Sequence, residues 1–103
     1  MSNDIQPITA VVVRKWRDTG DLIALFPELP SDYQGWFVDS YMHVGQHAGA
    51  DYNGVIQATM AATAEEAADL IRELERIGYR LKVIKRASPL AHAERRVKAK
   101  SHR

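Results

Sequence analysis

Several groups of residues in this sequence are of types that do chemistry, and the spacing around each decides what it is expected to do. Asp18-Thr19-Gly20 is a triplet that serves peptide hydrolysis when two copies meet at an axis and share one proton between their aspartates. That use needs the aspartate at the end of an apolar strand, but Lys15-Trp16-Arg17 precede it and Asp21 follows. A hairpin turn is the expectation. His43 and His47 stand four apart, the spacing at which a helix aims two imidazoles at one metal. Gly45 between them and Gly49 beyond predict a loop instead. No third ligand is specified, although Asp39, Asp51, His92 and His102 are available by type. No metal and no cofactor are expected, and His43, His47 and Asp51 are kept as polar candidates for binding or proton transfer. Asp39, Ser40 and His43 have the residue types of a hydrolytic triad without the sharp strand-to-helix elbow that such a nucleophile needs. Gly45, Gly49 and Gly54 lack the Gly-Lys-Ser/Thr ending of a phosphate loop.

Charge is a signal of another kind. The net charge is only +1, but it is unevenly spread. Residues 1–79 carry five Lys/Arg against twelve Asp/Glu, a net −7, and residues 80–103 carry nine Lys/Arg against Glu94 alone, a net +8. Such asymmetry points the basic part toward polyanions. Arg80, Lys82, Lys85, Arg86, Arg95, Arg96, Lys98, Lys100 and Arg103 are the candidate nucleic-acid contacts, because dense cationic side chains neutralise phosphates and release their counterions. Trp36, Phe37 and Tyr41 supply rings that either stack on bases or fill the core. Glu65, Glu66, Asp69 and Glu73 form an acidic strip that offers a protein partner a surface of the other sign.

The elements that must position these residues are legible to different degrees. Ile8 to Trp16 and Leu22 to Phe26 are β-branched or apolar runs around a polar connection containing Gly20, which predicts an antiparallel hairpin. Pro27 and Pro30 are expected to end its second strand. Trp36 to His43 is expected to be extended, Gly45 to Gly54 a loop, and Val55 to Met60, with its alternation, a strand. Ala64 to Ile77 predicts a helix: Thr63 and Glu66 form a capping box, and Ala67, Leu70, Ile71, Leu74 and Ile77 form one apolar stripe. Gly78 ends it, and Tyr79 to Arg86 reads as a strand with Tyr79, Leu81 and Val83 toward the helix. Ser88-Pro89 opens a short helical tail with a thin apolar line of Leu90, Ala93 and Val97.

With 103 residues, 46% hydrophobic and 26% charged, the chain suits one globular unit. No cysteine is present, which excludes disulfides and thiolate chemistry and favours a cytoplasmic setting. No apolar run is long enough to span a bilayer. The expected architecture is α+β: residues 1–87 as an antiparallel sheet of about four strands with one helix on one face, and residues 88–103 as a basic tail, helical or frayed.

Three runs, Val13 to Glu28 (VRKWRDTGDLIALFPE), Ser40 to His47 (SYMHVGQH) and Leu74 to Leu81 (LERIGYRL), resemble a family of small uncharacterised bacterial proteins found in plasmids, phages and integrative elements. The resemblance covers roughly residues 10 to 87. It implies an accessory role in a mobile element, handling nucleic acid or countering a host system, and brings no catalytic residue with it. The expectation is a non-enzymatic protein that binds nucleic acid or a nucleoprotein through its basic C-terminal part. The alternatives are an adaptor or inhibitor of a host system acting through the acidic helix or the His43 to Tyr52 loop, and a small enzyme centred on His43 and His47.

Overall fold

The computed structural model describes residues 7–42 and 46–101. Strand β1 (Ile8–Trp16) runs through the middle of the sheet. Its valines alternate between two cores: Val11 and Val13 enter one, Val12 the other. A strand covered on both faces reads as a continuous apolar run, which is why Ala10 to Val13 shows no polar alternation. β1 turns through residues 17–21 into β2 (Leu22–Pro30), and the pair is antiparallel as expected, with Val12 opposite Leu25. Gly20 takes φ +80° in that turn, and Asp18 is exposed on it.

β2 does not stop at Pro27. It continues to Pro30, but its ladder with β1 ends at Leu25 and its register with β3 (Val38–Met42) shifts between Phe26 and Pro30. The prolines therefore occupy an irregular stretch where few ladder donors are needed. β3 pairs in turn with β4 (Gln46–Ala50), so part of the segment expected to be a loop is an edge strand.

Of the strand expected over Val55 to Met60, only Thr59 and Met60 are extended. Tyr52–Ala58 forms a short helix, α1, followed by β5 (Thr59–Ala61), which pairs with the end of β1. A run this short is ambiguous in period, and a distant residue decides it. Arg14 on β1 donates from Nη2 to the carbonyls of Ile56 and Thr59 and from Nε to Thr59 Oγ1, at 3.0–3.1 Å. A cation thus closes the carbonyl end of α1, where the helix leaves acceptors unpaired.

Helix α2 (Ala64–Ile77) forms as predicted, with both arms of the Thr63/Glu66 capping box and Gly78 at φ +127° after its last turn. Ala67, Leu70 and Leu74 pack on Val11, Val13, Ala24, Phe26 and Tyr41. Ile77 is 51% exposed and lies outside that stripe. β6 (Arg80–Val83) then pairs in parallel with the first half of β1, Ile8 opposite Arg80. Tyr79 and Leu81 face α2 as expected, but Val83 is exposed and Ile84 joins the opposite core.

The fold is α+β, with a mostly antiparallel sheet of order β4-β3-β2-β1-β5 and β6 beside β1. Among the described residues there are six strands and three helices, of which the expected sheet of about four strands with one packed helix is a coarser outline, and the helices cover both faces. α1 and α3 (Pro89–Ser101) belong to the face opposite α2, where Val12, Leu25, Val38, Tyr52 and Val55 form the second core. Among the described residues no helix is long and apolar enough to cross a membrane.

Candidate functional site

The thin apolar line of Leu90, Ala93 and Val97 is not what seats helix α3. Leu90 and Val97 are 65% and 68% exposed, whereas Arg95 is 3% exposed and Ala99 is buried. The reason is polar. The Arg95 guanidinium donates to the carbonyls of Gly35 and Pro27, each at 2.7 Å, and lies 2.7 Å from His92 Nδ1. The Pro27 carbonyl lies in the irregular stretch of β2 and that of Gly35 in the turn beyond the strand, outside the regular ladder, and a buried acceptor without a donor is costly. Gly35, at φ +77°, lets the helix seat directly on that turn: a Cβ there would stand 2.7 Å from Arg96 Cα and 3.1 Å from Ala99 Cβ. Residues 88–101 are thus a docked element and not a loose tail.

Docking α3 beside α1 leaves a cleft of about 980 Å3 on this face of the sheet. Trp36 and Phe37 stand on one wall, Lys85 and Arg86 on the connection before α3, and Arg96 on α3 itself. Asp51 and Asn53 line it from the start of α1, and Tyr52 and His92 meet edge to face at 4.7 Å within it. The Tyr52 hydroxyl accepts from the backbone N–H of Ala87 at 3.0 Å, holding the connection in place. Trp36 is 56% and Phe37 47% exposed, so neither is a core residue. The Trp36 ring is nonetheless held: the Arg96 guanidinium lies 4.7 Å from its centroid, and its indole N–H donates to Gln34 Oε1 at 2.9 Å. The Phe37 backbone N–H donates to Asp32 Oδ1 at 2.9 Å, which stiffens the same turn.

The nine basic candidates separate in space. Lys85, Arg86 and Arg96 line the cleft with buried Arg95, whose Nε and Nη1 donate to carbonyls inside the protein. Arg80 and Lys82 are exposed on β6, and Lys98 and Lys100 on α3, with Lys98 Nζ 3.5 Å from the Glu28 carbonyl. Arg103 and His43 lie outside the described residues. Sequence reasoning did not place Arg14, Trp36, Asn53 or His92 in a common site, because the cleft is assembled from segments far apart in the chain.

The polar candidates also part company. His47 is on β4, on the α2 side: its Nε2 is 3.2 Å from the Tyr79 hydroxyl, and its ring meets Tyr41 edge to face at 4.7 Å. Asp51 precedes α1 at the cleft, on the other side of the sheet. Burial raises the Asp39 carboxyl above its usual range, partly offset by the charge of His47, and burial together with Asp39 raises the Tyr79 phenol. Strand alternation turns Ser40 away from Asp39, and Ser40 Oγ donates to the Ala48 carbonyl at 2.8 Å. Among the described residues no three His, Cys, Asp or Glu side chains converge as a metal site. On α2, Glu66 pairs with Lys15, Asp69 with Arg72, and Glu73 accepts from the Tyr41 hydroxyl. No family model, no curated protein and no solved structure matches this chain, so the functional reading rests on the chemistry of the cleft itself.

Proposed function

We propose that this chain is a non-enzymatic accessory protein that binds nucleic acid, and that the cleft between α1, α3 and the Trp36 turn is where it does so. The observation that carries this is the meeting of exposed Lys85 and Arg86 and half-buried Arg96 with exposed Trp36 and Phe37 around one cleft. Cations neutralise the backbone and rings receive bases, a combination that proteins use on nucleic acid. Lys82, Lys98 and Lys100, exposed on neighbouring elements, extend the positive field along the backbone path. A role in a mobile element is compatible with this activity and forms part of the proposal.

Titrating salt tests it. Log affinity for an oligonucleotide falls linearly with log salt, by roughly 0.7 to 0.9 per phosphate neutralised. The double variant Lys85→Ala, Arg86→Ala lowers that slope by about 1.5 while leaving the unfolding midpoint unchanged. Absence of any binding at about 50 mM salt sinks the reading. A protein-binding adaptor then takes its place, for which the exposed apolar line of Leu90 and Val97 on α3 is the favouring observation. The acidic strip on α2 favours it less, since three of its carboxylates already have partners within the chain.

A further inference from the structure

The geometry points to an unpaired base as the group the cleft takes, so that the substrate class is single-stranded polynucleotide and not duplex; this inference rests on the nucleic-acid reading above and narrows it. Large rings are normally buried, yet Trp36 is more than half exposed and fixed in one orientation by Arg96 over its face and Gln34 at its N–H. An exposed ring held by two contacts, on a turn itself pinned by Asp32 and by Gly35 beneath α3, is a preorganised surface and loses little freedom when something lands on it. What fits it must be flat and apolar in its face and anionic in its attachment, because Lys85 and Arg86 stand at the same cleft. A nucleotide meets that description. A base pair inside a duplex does not, because its faces are already covered by its own stack, whereas an unpaired base offers a free face to an aromatic side chain.

The cleft's size agrees. At about 980 Å3 it lies near the top of the range for pockets that enclose small ligands, roughly 300 to 1,000 Å3, which is room for about one or two nucleotides. Asp51 repels a phosphate, so the α1 wall belongs to the base edge, where Asp51 accepts from exocyclic amines and the Asn53 amide both donates and accepts. The sugar and backbone lie toward Lys85 and Arg86.

The test uses the full chain and three labelled probes of equal length at about 50 mM salt, single-stranded DNA, single-stranded RNA and a blunt DNA hairpin, read by fluorescence anisotropy. The expected result is that at least one single strand binds about ten-fold or more tightly than the hairpin, the better of the two identifying DNA or RNA. Trp36→Ala and Phe37→Ala each lower single-strand affinity by about five- to a hundred-fold and leave hairpin affinity and the salt slope unchanged. In a Trp16→Phe background, emission from Trp36 is quenched by the single strand and not by the hairpin; this readout uses the native Trp36 and stands even if Trp36→Ala unfolds. Equal binding of hairpin and single strands, with Trp36 emission unmoved, overturns this inference while the nucleic-acid reading survives. No binding to any probe overturns both.

Discussion

Arg95 and His92 form a pair whose protonation is set by geometry. The Arg95 guanidinium has only donors to offer, so at 2.7 Å the His92 Nδ1 must accept, and the imidazole is neutral with its proton on Nε2. Burial, and then the charges of Arg95 and Arg96, push the His92 pKa below its usual 6.5; the Tyr52 ring packs on it from α1. A histidine with a lowered folded pKa binds its proton more readily when unfolded, so stability is full above about pH 6.5 and falls as pH drops from there toward the folded value. Urea midpoints measured between pH 7.5 and 5 are expected to decline, and His92→Gln to flatten that decline; an unchanged profile in the variant assigns the acid sensitivity elsewhere. Arg95→Met, which strands the Gly35 and Pro27 carbonyls, is expected to cost about 1.5–3 kcal/mol in the same assay. Gly35→Ala meets both a positive φ and Arg96 Cα at 2.7 Å, and is expected to cost about 1–3 kcal/mol. None of this was legible in the sequence, where Arg95 counted as one more cation for a polyanion. Its true partners are carbonyls 60 and 68 residues away, and backbone acceptors leave no mark on residue identity.

Elements differ in how much of their cause is local. α2 was legible to its ends because a capping box, an apolar stripe and a terminal glycine all act within one stretch of chain. Leu74→Ala is expected to cost about 2–5 kcal/mol, Leu74 being fully buried between helix and sheet. Ile77→Ala, half-exposed one turn later, is expected to stay within about 0.5 kcal/mol; paired denaturation curves separate the two. The hairpin was legible for the same local reason. α1 was not, since its carbonyl end is closed by Arg14 from another element. Nor was β4, whose Gln46–Ala50 run has none of the β-branched density of β1 and is extended because β3 pairs with it. The inward face of α3 was not legible, because its apolar Leu90 and Val97 are exposed and its buried side is set by the hydrogen bonds of Arg95.

For the whole molecule, docking of α3 changes what its removal does. A dispensable tail leaves stability untouched, but a chain ended after Ser88 loses Arg95's hydrogen bonds and uncovers part of the second core. A lower or broadened urea transition is expected, and an unchanged midpoint restores the view of residues 89–101 as an appendage. The parallel pairing of β6 with β1 has a consequence in time. Ile8 and Arg80, opposite each other in the ladder, are far apart in the chain, with β2 to β5 and α2 made between them. At about 5–20 residues per second, roughly 4 to 14 seconds of synthesis separate them. Through that interval Val12 and Val13 can pair with β2, but the preceding half of β1, Ile8 to Val11, lacks the β6 strand that is its ladder partner. An apolar strand with an open edge recruits other chains, so a newly made copy is most exposed to aggregation before residues 80–83 arrive to close it. Slow codons between β1 and β6 should therefore lower the yield of folded protein, and the same codons placed after β6 should not.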